Sequence, residues 1–122
     1  MPDKETPPDI CARTFEFAVR IVNLCQNLDQ QPGVSRTLAN QLLRSGTSIG
    51  SNVEESQAGQ SKADFISKLG ISCKEARETL YWLRLLAATN IIPESKLAAL
   101  IDEANQLVAI LTTIIKNART SS

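Results

Sequence analysis

Apolar residues recur along this chain at alternating spacings of three and four, the period of a helix with one buried face. The pattern is clearest in the last segment, where Leu97, Ile101, Ala104, Val108, Leu111, Ile115 and Ala118 form a stripe flanked by Leu100, Leu107 and Ile114. A stripe that wide belongs to a helix in a bundle. The segment before it repeats the spacing with Ile66, Leu69, Cys73, Ala76, Leu80, Leu83 and Ala87. Ser61 and Asp64 resemble a capping box at its start, so a helix is expected over about Ser61 to Thr89. The first segment places Ile10, Thr14, Phe17, Ile21, Leu24 and Leu28 on one stripe, with Cys11, Ala18 and Cys25 beside it. The second has a smaller and more polar stripe of Leu38, Leu42, Ser45, Ile49, Asn52 or Val53, and Ser56. No segment alternates as a strand does.

The breaks between segments are short. Gln31, Pro32 and Gly33 separate the first two, Gly59 and Gln60 the next two, and Asn90 to Pro93 precedes the last. Short connections force antiparallel neighbours, so the sequence predicts an all-α, up-down-up-down four-helix bundle. Gly59 suits a left-handed helix end, and Pro93 suits the first turn of a helix, where its missing N–H is not needed. Residues 1–8 hold three prolines and read as a loose tail ahead of a bundle domain over 9–120.

Composition narrows the function more than it names it. Apolar residues make up 43% of the 122, a globular proportion. Lys plus Arg and Asp plus Glu number 13 each, so no global field draws the chain to nucleic acid or anionic lipid, and any such binding needs a local patch. No apolar run approaches the roughly 20 residues a bilayer requires, and MPDKETPPD lacks the apolar core of a signal peptide. Cys11, Cys25 and Cys73 are an odd number with no close pair, which fits a reducing compartment. A cytoplasmic protein without a membrane partner is expected. Histidine is absent, which removes the commonest general base and the commonest metal ligand together.

The second segment places Gly46 and Gly50 inside a helix, at about 1 kcal/mol each relative to alanine. Four-residue spacing sets both on one face beside Ser45 and Ser51, and close approach of a neighbouring backbone would compensate. The run RSGTSIGSNVEESQAGQSKADFISKLGISCKEARETLYWLRLL, Arg44 to Leu86, resembles the signature of the 23S rRNA intervening sequence proteins, also called the four-helix bundle protein family. The likeness extends over roughly Phe15 to Ala118. It implies a bacterial cytoplasmic bundle that assembles as a ring-shaped homopentamer and has no settled biochemical activity. The accessory variability determinant proteins of diversity-generating retroelements are similar, and they use a basic pentamer surface to bind nucleic acid and a reverse transcriptase. The zero net charge here departs from those relatives and implies weak, salt-sensitive binding.

Four carboxylates, Glu54, Glu55, Glu75 and Glu78, have a spacing that could bring them together, but a di-metal bundle site needs Glu-x-x-His from two helices. Pairing with Arg44, Arg77 or Arg84 is the expected use. Asn52 and Glu55 share the side of the small residues and are expected to be partly buried and to fix register against the facing helix. No nucleophile, phosphate loop or oxyanion arrangement accompanies them, so no catalytic residue, metal, cofactor or small-molecule substrate is expected. Asp9 with Arg13, Glu16 with Arg20, and Asp64 with Lys68 have the favourable order for pairs on an exposed helix. Lys74, Arg77, Arg84, Lys116 and Arg119 are the best set for contacting phosphates. Ile71, Glu78, Trp82 and Leu85, with Tyr81 beside them, form a second stripe off the core face, whose apolar members suggest an interface between copies. The sequence therefore supports a non-enzymatic oligomeric bundle that contacts RNA, DNA or a nucleic-acid enzyme, or else a purely structural or protein-interaction module.

Overall fold

The computed structural model describes residues 10–58 and 60–121. Four α-helices make up most of them: α1 (Ile10–Leu28), α2 (Val34–Gln57), α3 (Lys62–Ala88) and α4 (Glu94–Thr120). Each helix packs along its neighbour in sequence. Thr14 and Ile21 of α1 lie beside Gly50 and Gly46 of α2, and Ile49 and Ser45 of α2 lie beside Ser72 and Thr79 of α3. The order reverses at each step, which makes the bundle antiparallel, as the sequence predicts. Residues 1–8, Asp9 and Gly59, on which expectations of a tail, an ion pair and a left-handed end fall, lie outside the described residues.

The helix ends follow local chemistry. Ser61 caps α3, its hydroxyl accepting from the Asp64 backbone N–H at 3.1 Å. At the other end of α3, Asn90 takes a left-handed backbone with φ of 59°. Its short polar side chain tolerates that region, which lets the Asn90 and Ile91 N–H groups reach the Ala87 and Leu86 carbonyls at 3.1 and 3.2 Å. Pro93 sits one residue earlier than expected, as the extended residue before α4 rather than inside its first turn. Its carbonyl accepts from the Lys96 N–H at 2.9 Å and so begins the helix.

One continuous core runs the length of the bundle, with Phe17, Ile21, Leu42, Ile49, Leu69, Leu83, Leu97, Leu107 and Leu111 fully buried. The interior of α3 differs from the stripe read in sequence. Phe65, Ser72, Thr79 and Leu86 are buried, while Ile66, Leu80 and Ala87 are half-buried. The cause is position: α3 packs against both α2 and α4, so its covered arc is wide, and the edge toward α2 holds small hydroxyl residues. Ser72 donates to the Ile49 carbonyl at 2.8 Å, and the Thr79 hydroxyl donates to Ser45 Oγ at 2.9 Å. Both pairs are fully buried, so each hydroxyl has the partner its burial requires.

The α1–α4 seam is the thinnest in the bundle. Arg13 closes it by donating to both carboxylate oxygens of Glu103, at 3.1 and 2.7 Å, and to Gln106 at 3.1 Å. This fork is one of the stronger ion-pair geometries available to a half-buried pair. By length and composition α4 is also long and apolar enough to cross a membrane, with mean hydropathy 1.4 over its best window. That modifies the expectation of no such segment. The helix nevertheless spends its apolar stripe on the core and its Glu103 on Arg13, which is the behaviour of a bundle helix.

The α1–α2 contact depends on missing side chains. A Cβ at Gly46 would lie 2.8 Å from Ile21 Cγ2, and one at Gly50 would lie 3.2 Å from the Thr14 carbonyl oxygen. Neither neighbour has room to withdraw, since Ile21 and Thr14 are fully buried. Gly70 of α3 differs, because an added Cβ there meets nothing within 4 Å. Urea melts should therefore separate the three glycines. Gly46→Val and Gly50→Val should each lower stability by about 2 kcal/mol or more through overpacking. Gly70→Ala should raise it by about 0.5–1 kcal/mol through reduced backbone freedom in the unfolded chain.

Candidate nucleic-acid interface

Of the five cations singled out in sequence, the structure gathers three. Gly70, Cys73 and Arg77 recur at three- and four-residue spacing on α3, as do Thr112, Lys116 and Arg119 with Thr120 on α4. Antiparallel packing sets these two ridges against each other. Between them lies a groove of about 420 Å³ lined by those residues and Ile115. Long helical side chains lean toward the N-terminus of their own helix, so Arg77 leans toward Cys73, and Lys116 and Arg119 lean toward Thr112 and Ile115. Cys73 ties the floor together, its sulfur 3.5 Å from Thr112 Oγ1. Lys74 and Arg84 are exposed on α3 but do not line the groove.

The charges of α3 are sorted by helical phase. Glu75 and Glu78 turn toward α2, where Arg44 donates to Glu75 at 3.2 Å and also to Glu78. Trp82 Nε1 donates to the same Glu78 carboxylate at 3.1 Å. Arg77 turns the other way, toward α4. The pairing of these glutamates with Arg44 is as expected, whereas Arg77 and Arg84 take no part in it. Glu54 lines a separate α1–α2 groove with Phe15, Ala18, Thr47, Gly50 and Ser51, so the four carboxylates do not converge. The pairs Glu16–Arg20 and Asp64–Lys68 form no ion pair among the described residues.

Two expectations on α2 need correction. Asn52 does not bond across to a facing helix, because its amide donates to the Ser48 carbonyl of its own helix at 2.8 Å. Glu55 is exposed, since Val53 and Ser56 hold the buried positions of that turn. Register between α2 and α3 is set instead by Ser72 and Thr79. Ser51, expected beside the glycines, is exposed as well.

The apolar surface is broader than the sequence suggested. Ile71 and Tyr81 are exposed on α3, while Trp82 and Leu85 are half-buried, and Tyr81 meets Trp82 edge-on at 5.2 Å. A second patch, not anticipated, exposes Phe15, Val19 and Leu43 across α1 and α2. Phe15 is 65% exposed, an unusual state for so large an apolar side chain in a small domain. Its position next to Thr14 and off the core stripe was the available signal.

The family model of the 23S rRNA-intervening sequence proteins matches residues 8–113. The chain belongs to that family. It is also similar to a crystal structure from Bacteroides thetaiotaomicron VPI-5482, described as a protein with unknown function from the S23 ribosomal protein family. Identity is 44%, the match covers 88% of this chain and 98% of that one, and the TM-score is 0.82. No curated protein matches. Family membership thus accounts for the signature in α2 and α3, and the fold agrees with the bundle expected from it.

The thiols behave as packing residues. Cys25 and Cys73 are buried and Cys11 is half-buried. Burial first, and the Asp29 carboxylate second, push the Cys25 thiol from 9.0 up to about 11. Burial and then Glu54 also raise Cys11. The unfolded chain releases the Cys25 proton more readily than the folded one. The corresponding stability is therefore complete below about pH 9 and is lost as pH rises toward 11. Denaturant melts across that interval should show the fall, and Cys25→Ala should reduce its slope. Near neutral pH a thiol reagent should modify Cys11 well before the other two.

Proposed function

We propose that this member of the 23S rRNA-intervening sequence protein family is a non-enzymatic, cytoplasmic scaffold that works as a homo-oligomer, a ring of five copies. The observation that carries this reading is the exposure of two unlike apolar patches on one small domain. Phe15, Val19 and Leu43 lie across α1 and α2, and Ile71 and Tyr81 lie on α3. Unlike patches join head to tail, and a head-to-tail contact that closes on itself makes a ring. The ring-shaped relatives implied by the sequence resemblance support the same arrangement.

A second reading, contact with RNA, DNA or a nucleic-acid enzyme, is favoured by the gathering of Arg77, Lys116 and Arg119 around one groove. A neutral chain can still present a local cationic surface. A ring repeats that surface, so weak contacts add on a single strand. The retroelement accessory proteins and the ribosomal RNA in the family's name give the reading its context.

Light scattering after size exclusion tests the assembly. A mass five times the 13.3 kDa of the chain is expected, and Phe15→Glu or Tyr81→Glu should release smaller species that remain helical. A monomer at micromolar concentration sinks the proposal. For the second reading, affinity for single-stranded RNA should fall with salt, with a logarithmic slope of about −2 for three phosphates neutralised per protomer. No retention at low salt removes it.

A further inference from the structure

We propose that the α3–α4 groove is a nucleotide-phosphate site, in which Arg77, Lys116 and Arg119 hold the phosphate and Gly70 leaves room for the nucleoside. The proposal rests on the nucleic-acid reading above and names its ligand and place. Gly70 is the first observation. A glycine within a helix costs about 1 kcal/mol relative to alanine. At Gly46 and Gly50 close packing explains that cost, but at Gly70 an added Cβ meets nothing within 4 Å. What a side chain at Gly70 would occupy is the groove itself, since Gly70 lines it.

The second observation is the state of the cations. Arg13, Arg36 and Arg44 are ion-paired, whereas Arg77, Lys116 and Arg119, like Arg20, Lys68, Lys74, Arg84 and Lys96, have no side-chain ion pair or hydrogen bond among the described residues; what sets the three apart is that they converge on one groove. No acid lines the groove. Three carbonyls at the end of α4, which would repel an anion, have side-chain donors. Thr120 Oγ1 donates to the Lys116 and Asn117 carbonyls at 3.2 Å each, and the Lys62 ammonium donates to the Ser121 carbonyl. Among the described residues, none of the three groove cations bonds to those carbonyls.

Size and lining select the ligand class. A volume of about 420 Å³ exceeds what one inorganic anion fills and lies within the usual range for small-ligand sites. Gly70, Cys73 and Ile115 give an apolar floor for a flat heterocycle, beneath a rim whose guanidinium forks match phosphate oxygens. An acidic peptide offers charge without a ring for that floor. The competing account of Arg119 is that it offsets the dipole at the last turn of α4. That account predicts lower stability on removing the charge and no ligand.

Calorimetric titration of the full chain decides between them, using adenosine monophosphate, adenosine, a short 5′-phosphorylated oligoadenylate and a polyglutamate peptide. Saturable binding of the monophosphate, the oligonucleotide or both is expected, at least tenfold tighter than adenosine or the peptide. Arg77→Gln and Gly70→Leu should each weaken it about tenfold or more. The melting temperature of Arg77→Gln should match that of the parent and that of Gly70→Leu should match or exceed it, which shows that both folds are intact. Binding of the monophosphate identifies a free nucleotide as the source, and binding of the oligonucleotide alone identifies a strand. Absence of both, equal binding of adenosine or polyglutamate, or unchanged affinity in Gly70→Leu overturns the proposal. If long RNA is retained while the groove variants bind as the parent does, this inference fails and the nucleic-acid reading stands. If the monophosphate binds and long RNA does not, the reverse holds.

Discussion

The absence of side chains at Gly46 and Gly50 is the constraint on which the arrangement of this bundle depends. Ile21 and the Thr14 backbone occupy the space those side chains would fill. The approach fixes where α1 lies along α2 mainly by shape, with one weak polar contact further along the pair, from the Cys25 thiol to the Ala39 carbonyl at 3.4 Å. One face round, α2 meets α3 through Ser45, Ser72 and Thr79, whose buried bonds add direction to closeness. Small residues on two adjacent faces thus hold α2 between its neighbours in a single register. The position of α3 then decides what it offers to α4, and with it the shape of the groove.

Zero net charge conceals a sorted distribution. On α3, Glu75 and Arg77 are two residues apart, about 200° round the helix, so one faces Arg44 and the other faces α4. The acids near the middle of α3 are neutralised on the α2 side, leaving the α4 side with cations alone. A sum over the sequence cancels these two faces although they lie on different sides of α3. Local electrostatics, which fall off over roughly 8 Å in physiological salt, are set by the face and not by the sum.

The fold was legible because its information is local. Period, caps and short breaks specified four helices, and Ser61 begins α3 where a capping box was read. What sequence could not supply was which way each helix turns toward its two neighbours. The α3 stripe missed Ser72 and Thr79 because polar residues enter a core only where a specific partner waits, and Ser45 and the Ile49 carbonyl lie more than 20 residues away in sequence. Asn52 misled for the related reason that its own helix offers the Ser48 carbonyl at four-residue spacing. Arg13 and Glu103, 90 residues apart, leave no local trace at all. Three of the five cations named for a phosphate surface do meet at one groove, but Gly70, which shapes it, gave no pattern to read.

The proposed assembly surfaces and the proposed ligand groove share no residue. Phe15, Val19, Leu43, Ile71 and Tyr81 carry the first, and Gly70, Arg77, Lys116 and Arg119 carry the second. Joining copies through the apolar patches therefore need not consume the cations. A groove with three cationic partners and an open side binds one phosphate ester weakly, because most of the association cost is borne by a few contacts. Repeating the groove around a closed ring changes that arithmetic for a strand and not for a free nucleotide. After the first contact, the next phosphate is already at high local concentration, so avidity rises without any new interaction. Assembly would then act as the selector between the two sources of one chemistry: a monomer would treat them nearly alike, whereas a ring would favour the strand.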